Sequence, residues 1–218
     1  MYFCSVLETD TYMRYIDFFN TFSPLGCLSV NQIKVIQPNF DTTALGRWVG
    51  KGYLVQLKNG IYAFRQWLSQ PGADFIAGNL MYQPSYISLY SALAHYGIIP
   101  EFVAHTTSIT TLKTADFANQ LGTFSYRHVK PELFFGYRIL DSTSQRKLRI
   151  ATPEKALIDL LYLTPSLKSA EDVLQLRLDE DYMSEEFDYT EAHKILTRFN
   201  SKALTRRFNI LEQIYQPS

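Results

Sequence analysis

Residues 28–64 read LSVNQIKVIQPNFDTTALGRWVGKGYLVQLKNGIYAF and contain two short helix patterns followed by a hairpin pattern. In the first, Ser29 is a candidate N-cap, apolar residues follow at helical spacing, and Pro38 ends the pattern. In the second, Asp41 is the candidate cap and glycines close the helix. The Asn-Gly pair at 59–60 lies between two β-rich runs, which strongly predicts a hairpin.

A further helix pattern over residues 11–22 precedes this stretch, so three helices come before a two-stranded hairpin. That order is typical of a winged helix-turn-helix. We therefore predict such a DNA-binding domain over residues 1–69. After a polar segment, we predict a mixed α/β domain over residues 75–218 with a small sheet and several helices. The expected fold class is α+β.

The composition supports a folded chain with an uneven charge. Among 218 residues, 46% are hydrophobic and 15% aromatic, enough to build a core. The net charge is zero, yet residues 28–66 carry +4 and residues 153–218 carry −4. This asymmetry favours DNA contact by the N-terminal part. The sequence lacks a long apolar stretch, a basic leader and a metal-ligand spacing of its two cysteines, so we predict a cytoplasmic protein without a metal.

The third helix carries the candidate DNA-reading face. Thr43 and Arg47 lie four residues apart, opposite the apolar face. The glycines at 46 and 50 place no bulky side chain beside them, so the helix can approach DNA closely. Arg47 is suited to guanine or phosphate, and the threonines to phosphate or a thymine methyl. The predicted DNA-contacting residues, of which the last two lie at the hairpin turn, are Lys34, Thr42, Thr43, Arg47, Lys51, Lys58 and Asn59.

Winged helices also serve as protein-interaction modules, so a module of this kind that does not bind DNA is the alternative. A local charge of +4 is modest for binding DNA. If the chain does bind DNA, it supplies about four to six phosphate contacts, and we expect two copies to pair on a repeated site.

The sequence offers no catalytic constellation. Its four histidines are scattered, and neither phosphate-binding nor nucleophile motifs are present. Lys155 and Asp159 are four residues apart in a predicted helix, which indicates a surface or interdomain ion pair. We expect neither an enzyme nor a cofactor.

A charge reversal marks the C-terminal part. Residues 179–191 contain seven acidic residues and no basic one. Basic residues then recur at every fourth position: Lys194, Arg198, Lys202 and Arg206. A helix continuing through residues 200–201 would align them in one stripe. The stripe is either a solvated face or a docking surface for nucleic acid or an acidic protein.

Two further stretches resemble the AbiEi family, the antitoxins of type IV toxin–antitoxin systems. They are YISLYSALAHYG at residues 86–97 and IATPEKALIDLL at residues 150–161. The resemblance implies a transcriptional autorepressor that binds inverted repeats in its own operator, in the setting of phage abortive infection. It also implies a C-terminal antitoxin domain that antagonises a nucleotidyltransferase-like toxin, directly or indirectly. Both stretches are expected to serve the C-terminal core.

Overall fold

The computed structural model describes residues 13–101, 103–142 and 144–216. The helices are α1 (Tyr15–Phe22), α2 (Val30–Ile36), α3 (Thr43–Gly50), α4 (Ala73–Met81), α5 (Leu89–His95), α6 (Pro153–Leu163), α7 (Ala170–Leu174), α8 (Tyr189–Phe199) and α9 (Lys202–Tyr215). The strands are β1 (Cys27–Ser29), β2 (Leu54–Lys58), β3 (Ile61–Phe64), β4 (Ser85–Ile87), β5 (His105–Thr110), β6 (Ala115–Asn119), β7 (Gly122–His128), β8 (Tyr137–Asp141) and β9 (Lys147–Ala151). None of these helices has the length and apolar character needed to cross a bilayer.

The N-terminal part packs three helices against a small antiparallel sheet of order β1-β3-β2. The predicted second and third helices and the hairpin are confirmed. Ser29 caps α2 in a capping box, because its hydroxyl accepts from Gln32 N while the Gln32 side chain accepts from Ser29 N. Strand β1 was not predicted. It pairs antiparallel with β3, and Cys27 lies opposite Ala63.

The rest of the chain forms a mixed sheet of order β6-β7-β5-β4-β9-β8 with helices packed on it. The β4–β9 and β5–β7 pairs are parallel and the other pairs are antiparallel. The predicted α+β class is therefore confirmed at the level of a mixed fold with sheets and several helices. Thr152 caps α6 by accepting from Lys155 N, and Pro153 occupies its first position, where a proline favours the start of a helix.

Helix α4 was not predicted. Its buried residues, among them Ile76 and Leu80, pack with the N-terminal helices, and β7 adds Phe124 and Tyr126 to the same core. The division into domains 1–69 and 75–218 stays a prediction. By packing, α4 belongs to the core formed mainly by the N-terminal part.

Residues 85–97 have apolar residues at helical spacing, which predicts a helix from Ser85, and this prediction is wrong for the first turn. Residues Ser85–Ile87 form β4 in the middle of the larger sheet, and the helix begins at Leu89. Leu89 has a φ of 58°, so the chain turns sharply between strand and helix. Short, fully buried strands have no polar alternation, so their pattern is not distinguishable from a buried helix turn.

Candidate nucleic-acid interface

Helix α3 buries one face and exposes the other. Leu45 and Trp48 are buried, and the Trp48 ring lies 4.6 Å from that of Phe18 between ring centroids. Thr43 and Arg47, with Gly46 between them, occupy the exposed face. The predicted separation of the two faces is confirmed, and the aromatic contacts fix the direction in which the exposed face points.

A hydrogen-bonded cluster joins Asp41, Thr43 and Arg47. The Thr43 hydroxyl donates to Asp41 Oδ1 at 2.7 Å, and Thr43 N donates to the same oxygen at 2.9 Å. Arg47 Nη1 donates to the Thr43 hydroxyl at 3.1 Å, and its Nη2 lies 3.5 Å from Asp41 Oδ2. These contacts, led by the Thr43 hydroxyl, lower the pKa of Asp41. The guanidinium is thus held on the exposed face by a solvated pair that another anion can replace.

Three other predicted residues are also exposed near the ends of these helices. Lys34 lies in the last turn of α2, while Thr42 and Lys51 flank α3 at its two ends. Their side chains present a hydroxyl and two ammonium groups to solvent. Such groups are the usual partners of phosphate oxygens.

Lys58 is placed differently from the prediction. Its ammonium donates to Met81 O at 3.1 Å and lies 4.2 Å from the centre of the Phe117 ring. Asn119 Nδ2 also donates to Leu57 O at 3.2 Å. The hairpin therefore docks on α4 and β6, and Lys58 is not the free cation expected at a hairpin tip. Asn59, the next residue, is exposed.

Arg146, in the β8–β9 loop, was missed by the sequence analysis. Its guanidinium donates to Leu25 O at 3.1 Å, to Cys27 O at 2.7 Å and to Gln32 Oε1 at 2.9 Å. Gln32 belongs to the capping box of α2, so a residue of the larger sheet holds the start of this helix. Burial lowers the pKa of Arg146, with Cys27 opposing that shift. The contact joins residues more than a hundred positions apart, and no local pattern indicates it.

The condition for a continuous basic stripe, one helix running through residues 200–201, is not met. Asn200 adopts a left-handed conformation with a φ of 47°, so α8 ends there and α9 starts after Ser201 as a separate helix. Arg198 stacks its guanidinium 3.3 Å from the centre of the Phe135 ring, and Lys194 pairs with Glu191 on its own helix. The four cations are therefore divided among different surroundings.

Lys202 and Arg206 line a groove of about 670 Å³ between α8 and α9. In the acidic segment, Asp179 accepts from Tyr182 N at 2.8 Å and Asp188 accepts from Glu191 N at 2.9 Å. These two carboxylates stabilise local turns and the start of α8.

Lys155 and Asp159 form a buried ion pair, so the surface or interdomain pair predicted for them is wrong. Both side chains are 0% exposed, and the ammonium donates to Asp159 Oδ1. Tyr86 accepts from Lys155 Nζ at 2.8 Å and donates to Asp159 Oδ2 at 3.0 Å, and Ser88 donates to the same oxygen at 2.9 Å. Burial is the main influence on both pKa values, lowering that of Lys155 and raising that of Asp159. Below, these four residues are called the buried polar cluster.

The buried polar cluster joins the two stretches that carried the family resemblance. Ile87 in β4 pairs directly with Ile150 in β9. The first stretch supplies Tyr86 and Ser88 to the cluster, and the second supplies Lys155 and Asp159. Ala156, Leu157, Leu160 and Leu161 are all buried, in agreement with the core role expected of them. Gly136, with a φ of 72°, lets its loop approach Lys155; an added Cβ would lie 2.9 Å from Lys155 Cγ.

Within the described ranges, no three histidine, cysteine or acidic side chains gather into a metal-binding group. Comparison with protein-family models and with curated proteins finds no match to this chain.

Proposed function

We propose that this protein binds double-stranded DNA through α3 of an N-terminal winged helix-turn-helix. The observation that carries the proposal is the exposed face of α3, where Thr43 and Arg47 stand on a helix whose opposite face is fixed by aromatic packing. A helix that enters a DNA groove needs hydrogen-bond donors on a face without bulky side chains. Its opposite face must be packed rigidly against the rest of the protein.

The order of the elements supports the winged-helix part of the proposal. The chain runs α1, β1, α2, α3, β2, β3, and the sheet has the order β1-β3-β2. The hairpin is short and its Lys58 is engaged inside the protein. We therefore assign the DNA contacts to Lys34, Thr42, Thr43, Arg47 and Lys51.

The chemistry of the exposed cluster suits the exchange of one hydrogen-bond acceptor of Arg47 for another. In the free protein, Arg47 is held by Thr43 and Asp41. On DNA, a phosphate or a guanine edge would take the place of Asp41 as the partner of the guanidinium. Because the pair is solvated, the exchange costs little. The few cations of one chain fit binding by two copies on inverted repeats.

The biological role that we propose is autorepression by an antitoxin of type IV. Its support is the resemblance of residues 86–97 and 150–161 to AbiEi antitoxins. In this role the N-terminal unit binds the operator of its own operon, and the remainder of the chain opposes a nucleotidyltransferase-like toxin, with or without a stable complex.

The test of DNA binding is an electrophoretic shift with the region upstream of the chain's own gene. We expect specific, salt-sensitive retardation that Arg47→Ala weakens by about 1–3 kcal/mol. The matched control is Arg127→Ala, since Arg127 is also exposed and paired with an aspartate, Asp116, but lies on β7. Equal binding by both variants would show that α3 is not the DNA-contacting helix.

A second candidate function, a protein-interaction module, is favoured by the apolar end of α2. Val35 is 82% exposed and Ile36 is 56% exposed. Exposed apolar neighbours of this kind occur at protein contacts. Absence of retardation, together with capture of the toxin encoded beside this gene by the full chain and its loss in Val35→Asp, would favour this function.

The antitoxin role has its own test. Co-expression of the neighbouring nucleotidyltransferase gene with this chain should restore growth that the toxin alone arrests. Restored growth by the Arg47→Ala variant would separate antitoxicity from DNA binding. Growth arrest that persists with the wild-type chain would contradict the antitoxin role.

A further inference from the structure

A cleft of about 760 Å³ lies where the two cores meet. Its walls are the start of α4, the end of α5 and the β8–β9 hairpin. Ile76 belongs to the N-terminal core, whereas Ile99 and Leu148 belong to the core of the larger sheet. This volume is within the usual range for small-molecule sites, and junctions between packed units are a common place for them.

The lining of the cleft combines an apolar floor with carboxylates. Phe75, Ile99 and Leu148 supply apolar surface, and Asp74 and Asp141 stand beside them. None of the described residues that line the cleft is a lysine or an arginine. A ligand that satisfies both parts is an amphipathic cation, with an apolar body and an ammonium group.

Asp74 is the carboxylate available for that ammonium. Glu101 pairs with Arg177 at 2.9 Å, and Asp141 pairs with Lys147. Asp74 instead accepts a hydrogen bond from the Thr106 hydroxyl at 3.1 Å, and no ion pair to it occurs within the described part of the chain. Asp74 lies in the first turn of α4, and this position places it at the edge of the cleft.

We infer that this cleft binds a small amphipathic amine, whose ammonium group pairs with Asp74 and whose apolar body packs on Phe75, Ile99 and Leu148. This binding is independent of the proposed function.

Calorimetry on the full chain tests the binding. The probes are phenethylamine, 3-phenylpropanoate as the anion of similar shape, and ethylamine, which lacks the apolar body. We expect phenethylamine to bind about tenfold more tightly than either of the others, and Asp74→Asn to lose about that factor. Equal affinity for the amine and the carboxylate would overturn the assignment.

A filling variant gives an independent check of the location. Ala94→Trp places a large side chain in the cleft, whereas Tyr90→Trp alters an exposed residue of the same helix that does not line it. Binding should be lost in the first variant and kept in the second. Equal binding by both, with circular dichroism showing that both are folded, would place the ligand elsewhere. If Ala94→Trp does not fold, Asp74→Asn decides.

Discussion

Two clusters in this molecule pair an aspartate with a cation and a hydroxyl, in opposite surroundings. Asp41 meets Arg47 on the exposed face of α3, whereas Asp159 meets Lys155 in the buried polar cluster. Water screens the first pair, so either partner can leave at little cost. The second pair is desolvated, so each member depends on the others for its hydrogen bonds. The exposed cluster is therefore available for a ligand, whereas the buried one stabilises the fold.

The largest expected effect is that of Lys155→Met, which removes the cation that pairs with Asp159 and leaves this carboxyl in the core without a counter-ion. We expect the free energy of unfolding to fall by about 3–5 kcal/mol, as measured by chemical denaturation. The control is Lys147→Met, because Lys147 also pairs with an aspartate but is exposed, and it should change the stability by less than about 1 kcal/mol. Equal losses in both variants would contradict the distinction.

Tyr86→Phe should have a smaller effect of the same kind. It removes the hydroxyl that accepts from Lys155 and donates to Asp159, while keeping the ring. The expected loss is about 1–3 kcal/mol in the same denaturation experiment. Tyr90→Phe, at an exposed position, is the control and should leave the midpoint nearly unchanged. A midpoint unaffected by Tyr86→Phe would mean that the hydroxyl does not support the pair.

Asp41→Asn tests whether the carboxylate of the exposed cluster competes with DNA phosphate for Arg47. The amide oxygen still accepts from Thr43 N, but the negative charge that competes with phosphate is removed. We expect DNA binding to tighten by about twofold to fivefold, most at low salt, with little change in stability. Asp116→Asn, which neutralises another exposed aspartate paired with arginine, is the control. Weaker binding by Asp41→Asn would imply that the carboxylate positions Arg47 for DNA.

Thr43→Ala is expected to have the smallest effect, on the titration of Asp41. The Thr43 hydroxyl is the main cause of the lowered pKa of Asp41, so its removal should raise that pKa toward the ordinary 3.8. Because the folded pKa is lowered, the contribution of Asp41 to stability is present at neutral pH and is lost as the pH falls through the folded pKa. Carboxyl titration by NMR measures the shift, with Thr42→Ala as the control.

Local sequence patterns predicted the N-terminal elements because their determinants lie close together in the chain. Ser29 and Gln32 form a capping box within one turn, and the Asn-Gly pair at 59–60 sets the hairpin. The separation of α3 into a buried and an exposed face follows from helical spacing alone.

The remaining features depend on contacts that are distant in sequence. Lys155 and Asp159 have the spacing of a surface pair, and only the packing of β4 and α8 around α6 buries them. Arg146 is an ordinary polar loop residue until the fold places it against Cys27 O. Asparagine is a residue type that often ends helices. Only the structure shows that Asn200 adopts the left-handed conformation that ends α8 and separates the basic residues.

The most direct test of DNA contact by α3 is cleavage of DNA from an iron chelate attached to this helix. In a Cys4→Ser background, the remaining Cys27 is fully buried and burial raises its pKa to about 12, so an introduced cysteine at Thr42→Cys is the reactive thiol. We predict two symmetric groups of cuts in the region upstream of the chain's own gene. Cuts from a chelate at Lys113→Cys, an exposed position between β5 and β6, with none from Thr42→Cys, would contradict the placement of α3 on DNA.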